Sequence, residues 1–472
     1  MSLIKSLHES QIVNLWRYLL LKGTELTAED GTPIKIIYSG RINNDQGADF
    51  RDVVMAANQG LVIGDIEIHI KSSDWQAHRH HLNPQYNRVI LHVVMKHDRK
   101  TATHLENGRS IPTLALDKYT EDSIPLIYSH IGSNMPCSCC RNNLTPDIVA
   151  EFLDSAGRKR FLTKAASFEA NIAQVGASQS LYQGIMGALG YAKNRLPFLE
   201  LAHRLPLWLL EPMAQGKISD EECLARQQTL LLGTAGLLPS QRYSCRQDKL
   251  DDEWVDTLER LWTSFHHTEV MSPNSWHLFR VRPSNFPTRR LIAMSHLVLR
   301  YKERGIVEEV LNIIKETPLH KGHRRLEAVL VVITDGYWAS HFDFGSGSRI
   351  ANPSLLGRSR AADIVVNVLL PFTSAWSKLN SQPELAWKSF ALYHNYPKLS
   401  VNTVEKHMVR QIGLNGSLVN SAQRQQGLIQ IYETLCTRGK CDSCTLGIPG
   451  QASLRLGTTS KSKPSVLPAW KR

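Results

Sequence analysis

Between Gly60 and Lys71 the sequence GLVIGDIEIHIK alternates strictly. Val62, Ile66, Ile68 and Ile70 fall on one side, and Asp65, Glu67, His69 and Lys71 on the other. Period-two alternation with branched apolar residues predicts a β-strand that packs one face on a core. The flanking pattern supplies its neighbours. Strands are predicted over Pro33–Tyr38 and 51–57, with a hairpin turn at 58–60. Residues 88–97, RVILHVVMKH, are almost wholly apolar, which predicts a central strand buried on both faces. Residues 111–116 predict an edge strand. Upstream, 8–22 form an amphipathic helix with Ile12, Leu15, Trp16, Leu19 and Leu20 on one face and Glu9 in its first turn. Ser72-Ser73-Asp74 predicts the cap of a short helix carrying His78, His80 and His81. The order is helix, three strands, helix, strand: an α/β domain over residues 1–117, a mixed sheet flanked by helices.

From residue 118 the periodicity changes to 3.6. Helices are predicted over 144–170, 180–190, 195–213, 220–232, 251–265, 289–304, 307–316 and 402–414, separated by loops rich in Gly, Pro and Asn. Residues 118–435 therefore form a mainly helical region with no internal repeat. Residues 436–448 hold a cysteine knuckle, and 449–472 are a basic tail whose Ser, Lys and Pro content predicts disorder.

Charge changes this picture. Fifty-five basic against 43 acidic residues give a net +12 and a pI near 9.3, which favours a polyanionic partner, nucleic acid above all. No apolar run is long enough to span a membrane, and the N-terminus lacks the apolar stretch of a signal peptide. The reading is a cytoplasmic protein, so its eight cysteines should not form a disulfide framework.

The chemistry gathers on the Gly60–Lys71 strand, where two carboxylates and an imidazole share a face and can bind a divalent metal or tune one another. An Asp at the mouth of one strand and a Glu-x-basic pair on the next strand of a hairpin resemble the PD-(D/E)XK nuclease superfamily. That resemblance places Asp49 at the first acidic position, with Ala48 where proline is usual, and Glu67 at the second. His69 stands where lysine is usual, and Glu9 corresponds to an accessory acid. It implies a restriction-endonuclease-like fold and metal-assisted phosphodiester hydrolysis, with Asp49 and Glu67 holding Mg²⁺ or Mn²⁺. Histidine can be neutral at pH 7, so His69 suits a ligand or base, and Lys71 is a second source of the missing ammonium charge. GADF, GDIEIHIKSSDWQAHRHH, YNRVILHVV, RVRPSNFPTRRL and the closing QQGLIQIY with its cysteines also resemble a bacterial family known only as a domain of unknown function.

His78, His80 and His92 form a further group that suits Mn²⁺ or Zn²⁺ as added ligands. The alternative is two exposed helix residues and a satisfied core histidine. Cys436, Cys441 and Cys444 have the spacing C-x4-C-x2-C, and Cys137, Cys139 and Cys140 lie upstream. Together they could clamp Zn²⁺ or an iron–sulfur cluster, or remain thiols. Arg280, Arg282, Arg289 and Arg290, interleaved with aromatics and prolines, could grip phosphates, or could be buried arginines capping helix ends. Three functions follow: a metal-dependent nuclease, a nucleic-acid-binding protein that has lost turnover, and a metal-dependent hydrolase of another substrate.

Overall fold

A computed structural model describes residues 8–22, 24–43, 46–57, 60–99, 101–119, 145–214, 218–242, 252–265, 269–345, 348–440, 443–444 and 446. The chain forms two compact units. One comprises Met1–Ala156, Val401–Val419 and Gln426–Arg472; the other comprises Gly157–Ser400 and Asn420–Gln425.

The first unit is built on a mixed sheet. Helix α1 (Glu9–Lys22) is followed by β1 (Leu26–Thr27), β2 (Pro33–Tyr38), β3 (Arg41–Ile42), β4 (Phe50–Ala57) and β5 (Gly60–Lys71). After the short helix α2 (Asp74–Ala77) come β6 (Val89–Lys96), β7 (Thr103–His104), β8 (Ser110–Ile111) and β9 (Thr113–Ala115). The main sheet runs β1-β2-β4-β5-β6-β9, with β3 on β4. Strands β2, β4 and β5 form an antiparallel meander, while β6 and β9 are parallel to β5. The predicted strands and the central place of β6 agree with this, and β9 lies at the predicted edge.

One face of the sheet buries Ile66, Ile68, Leu91 and Val93 against Ile12, Leu15, Trp16 and Leu19 of α1. Burying each such side chain stabilises by roughly 1.5–3 kcal/mol, which is why α1 keeps its apolar stripe. The other face is covered too. Asp65, Glu67 and His69 are buried rather than solvated, beneath the crossover that joins β5 to β6 and carries Trp75 and Tyr86. The strands approach closely here. A Cβ on Gly64 would lie 2.3 Å from Ile90 Cγ2 and 2.4 Å from the Arg88 carbonyl oxygen.

The sheet carries a bulge beside the acidic residues. Phe50 pairs with Ile66 but Val53 with Gly64, so β4 holds one extra residue, and Asp52 takes the left-handed φ of 60°. Its side chain is fixed there by the Tyr432 hydroxyl (2.8 Å) and Arg88 Nη2 (3.1 Å).

The expected boundary after residue 117 falls inside this unit. Val149 and Leu153 of the helix Pro146–Val175 join a core with Tyr38, Val54, Met408, Leu428, Ile431, Tyr432 and Cys444, and apolar burial therefore ties the C-terminal segments to the sheet.

The second unit is helical around one large core. The predicted 195–213 helix is three pieces, Arg195–Arg204, Leu207–Leu210 and the 3-10 turn Glu211–Ala214, because Pro206 cannot continue the first. Sequence periodicity missed Arg358–Ile364, Leu370–Leu379 and Pro383–His394. A π turn at Val365–Leu369 joins the first two and breaks the 3.6-residue period between them. The π turn stands just ahead of Pro371, whose missing N–H a regular helix would have to absorb.

Candidate functional site

Asp49 stands at the mouth of β4 and Glu67 in the buried middle of β5, and each braces the other's strand. The Asp49 N–H donates to Glu67 Oε2 (3.0 Å), and the Ile68 N–H donates to Asp49 Oδ2 (2.9 Å). One oxygen of each carboxyl is thereby aimed and held. Burial, then the neighbouring Glu67, pushes Asp49 up to about 7; burial pushes Glu67 up to about 8. Glu9, at the start of α1, is exposed and adds to the negative field on both. Arg51 opposes that field at Glu67; its Nη2 donates to the Gln46 carbonyl (2.7 Å) and its Nη1 lies 3.8 Å from Asp65 Oδ2.

Glu67's other oxygen faces imidazoles. Oε1 lies 3.5 Å from His69 Nε2 and 3.3 Å from His80 Nε2. His69 Nε2 is also 3.1 Å from His78 Nδ1. Burial, reinforced for His69 by its histidine neighbours, holds His69 down at about 2 and His80 at about 4, so both rings are neutral at pH 7. With the carboxyl pushed up and the rings pushed down, these short approaches are not ion pairs. His80 Nε2 is buried and without a hydrogen-bond partner.

The crossover achieves this convergence by breaking the predicted helix. Only Asp74–Ala77 is α-helical; His78 ends it, Arg79 turns left-handed at φ 59° and ψ 30°, and His80–Leu82 is a 3-10 turn. Residues 78 and 80 on one helix would point about 200° apart. The Arg79 elbow brings both rings to His69, with centroid distances of 4.9 Å and 5.1 Å. Ser73 makes no side-chain cap, because its hydroxyl donates to Asp98 Oδ2 (2.8 Å). Ser72 Oγ and the Ser73 N–H hold Asp98 Oδ1, pinning the crossover's start. Trp75 donates to the His104 carbonyl (2.9 Å) and packs its ring among His69, His80, His92 and Tyr86.

His92 on β6 is fully buried with both ring nitrogens partnered. Nε2 meets His69 Nδ1 at 3.0 Å, and Nδ1 meets Thr103 Oγ1 at 3.2 Å; Thr103 in turn meets Thr113 Oγ1 at 2.9 Å. It is a satisfied core histidine, but its partner is a site residue. Lys71 ends β5 exposed, and its N–H donates to Asp74 Oδ2. Sequence reasoning missed Arg51, Trp75, Tyr86 and the two threonines. The aromatic residues inside the His-rich stretch were the available signal.

The arginine-rich stretch of the second unit divides. Arg280 and Arg282 are exposed. Arg289 and Arg290 are buried, which corrects their expected role as phosphate contacts. Arg289 Nη1 donates to the Trp338 and His341 carbonyls and Nη2 to those of Asn352 and Ser354; Arg290 donates to the Leu355 carbonyl, Tyr191 and Asn285. Of the cysteines, Cys436 lies in a 3-10 turn and Cys444 is buried in the apolar cluster with Tyr38. Cys137, Cys139, Cys140 and Cys441 lie outside the described residues. Among the described residues, no helix is long and apolar enough to cross a membrane.

No curated protein and no solved structure matches the chain. One family model does, over residues 9–400, most of the chain and including the acids, the histidine elbow and the buried arginines. The chain therefore belongs to the family described as protein of unknown function (DUF2851).

Proposed function

We propose that the chain is a metal-dependent phosphodiester hydrolase acting on nucleic acid, on a restriction-endonuclease-like sheet. The observation that carries this reading is the braced pair Asp49 and Glu67, on adjacent strands where an antiparallel meander meets a parallel strand. Supporting it are the order α1, β2, β4, β5, crossover, β6 and the exposed Glu9 at the start of α1. Asp49 and Glu67 would hold the divalent cation. Two buried carboxyls whose ionisation is opposed by burial fit a missing positive charge. Such an ion lowers the pKa of a bound water and shields phosphate oxygens. The chain supplies the rest. Backbone N–H groups fix one oxygen of each acid, Trp75 and Tyr86 cover the buried rings of His69 and His80, and Arg51 carries the fixed positive charge that His69, as a neutral ring, does not.

A binding protein without turnover, or a hydrolase of a non-nucleic-acid substrate, is the second reading. It is favoured by the neutral His69 in the usual place of lysine and by the burial of Arg289 and Arg290. The test is cleavage of single- and double-stranded DNA and RNA with Mg²⁺ or Mn²⁺, comparing wild type with Asp49→Asn and Glu67→Gln. Loss of at least a thousandfold in both variants is expected. Cleavage unchanged in both sinks the reading, and salt-sensitive binding without cleavage moves it to the binding protein.

A further inference from the structure

In the first unit the imidazoles of His69, His78 and His80 draw together, and Glu67 Oε1 lies against two of them. Zinc-to-nitrogen bonds of 2.0–2.1 Å put neighbouring ligands of a tetrahedron roughly 3.3 Å apart. The observed separations are 3.1 Å for His69 Nε2 to His78 Nδ1, 3.5 Å for His69 Nε2 to Glu67 Oε1, and 3.3 Å for His80 Nε2 to Glu67 Oε1. Each of the three histidines offers a nitrogen within 4.8 Å of the other two. A second observation is independent of this spacing. His80 is 8% exposed, yet its Nε2 has no hydrogen-bond partner and points at Glu67. A buried polar atom without a partner costs about 1–3 kcal/mol, and here it persists beside three other metal-ligand side chains.

We infer that His69, His78, His80 and Glu67 form a binding site for one divalent first-row transition-metal ion, of the zinc, cobalt or manganese class. The donor set decides the class. Three imidazoles and one carboxylate suit transition ions, whereas magnesium and calcium select oxygen ligands and water. Glu67 serves both halves of the site. Oε2 is held by the Asp49 N–H on the acidic side, and Oε1 turns to the rings.

The surroundings suit ligation. His69 binds through Nε2, so its Nδ1 carries the proton and donates to His92 Nε2. His92 then carries its proton on Nδ1 and donates to Thr103 Oγ1, and one consistent tautomer runs through both rings. Such hydrogen bonds behind a ligand fix its ring and typically account for 10–100-fold in metal affinity. His92 is a positioning residue by this argument. The inference concerns which ion the site takes, and it stands whether or not the reaction is phosphodiester cleavage.

The test uses the full chain, stripped with chelator and titrated with Co²⁺ and Zn²⁺, with metal content measured by elemental analysis. The cysteine clusters can also bind these ions, so the readout is the difference between wild type and variants. Cobalt held by nitrogen and oxygen shows visible d–d bands without the near-ultraviolet thiolate charge transfer that cysteine ligands add. His80→Ala is expected to remove one equivalent of metal and its d–d bands, weakening that site at least a hundredfold. His92→Gln should weaken it 10–100-fold while retaining stoichiometry. The exposed His104→Ala should change nothing, and millimolar Mg²⁺ should not displace the ion. Circular dichroism of each variant checks folding. Equal metal content and spectra in wild type and folded His80→Ala overturn the inference, as does displacement by Mg²⁺. Cobalt bound as described with no cleavage under any metal keeps this inference and removes the hydrolase reading; cleavage with Mg²⁺ and no imidazole-bound cobalt does the reverse.

Discussion

The two units put their buried polar side chains to different uses. In the helical unit, Arg289 is fully buried and spends both terminal guanidinium nitrogens on four carbonyls, while Arg290 spends its own on a carbonyl, a hydroxyl and an amide. In the sheet unit, buried acids and imidazoles face one another and leave a ligand atom, His80 Nε2, unmatched. The first arrangement spends its terminal guanidinium nitrogens on holding loops in place and leaves only the Nε of each arginine without a partner. The second keeps lone pairs pointed inward, where only a cation or a proton donor completes them. Residue type alone does not separate structure from chemistry; the fate of the polar atoms does.

This contrast can be broken at its strongest point first. Arg289→Ala leaves four carbonyls, one of them fully buried, without their donor and opens a cavity. It should destabilise the helical unit by roughly 3–5 kcal/mol, read by denaturant unfolding. A cost below 1 kcal/mol would show that the guanidinium is not the scaffold described.

Titration sharpens the sheet unit's side. Burial, with Arg41 nearby, holds His407 down at about 4, and the Tyr38 hydroxyl donates to its Nε2 (2.7 Å). The unfolded chain, with a histidine pKa near 6.5, binds more protons than the folded one between those two values. Stability is therefore complete above pH 6.5 and falls as pH drops toward 4, by at most about 3 kcal/mol from this group. His407→Gln should flatten that part of the stability profile, and an unchanged slope would remove His407 from the account.

Glu67→Gln carries the opposite sign to Arg289→Ala. In metal-free protein the new amide can donate toward His80 Nε2 while its carbonyl still accepts from Asp49 N–H. A gain of about 1–2 kcal/mol at pH 8 is expected, visible as a raised Tm, together with loss of metal binding. A lowered Tm would mean that Glu67 is a structural acid. Arg79→Gly should have the smallest effect, a gain below about 1 kcal/mol, because relief of the left-handed backbone is offset by glycine's greater unfolded freedom. Arg79→Ile should instead cost about 1–2 kcal/mol, and calorimetry of the pair distinguishes strain from side-chain loss.

Much of the sheet was legible because strands with one apolar face write a period of two into the chain. Glu67 and His69 were marked that way, Asp49 through the resemblance to a nuclease superfamily, and His78 and His80 by their place just after the strand. What covers a strand's second face is not written in its own alternation, so the burial of Asp65, Glu67 and His69 came only with the structure. The elbow was missed because arginine, unlike glycine or asparagine, gives no hint of a left-handed turn. Arg289 and Arg290 stayed open between phosphate contacts and buried caps for a related reason. Arginines between aromatics and prolines look the same whether their donors meet phosphates or carbonyls. The 358–379 helices escaped because the π turn at Val365–Leu369 breaks the 3.6-residue period between two short helices.

The parallel pairing of β5 with β6 also sets an order of events in folding. The β4–β5 hairpin, with Ala57 opposite Gly60, closes locally, whereas Asp65 meets Val89 only after the whole intervening crossover has been ordered. Contacts so separated in sequence form slowly. Asp49 and Glu67 are therefore expected to come into register with the hairpin, and the imidazoles of the elbow with β6. A chain folding in that order offers an ion the two acids before it offers the imidazoles of the elbow.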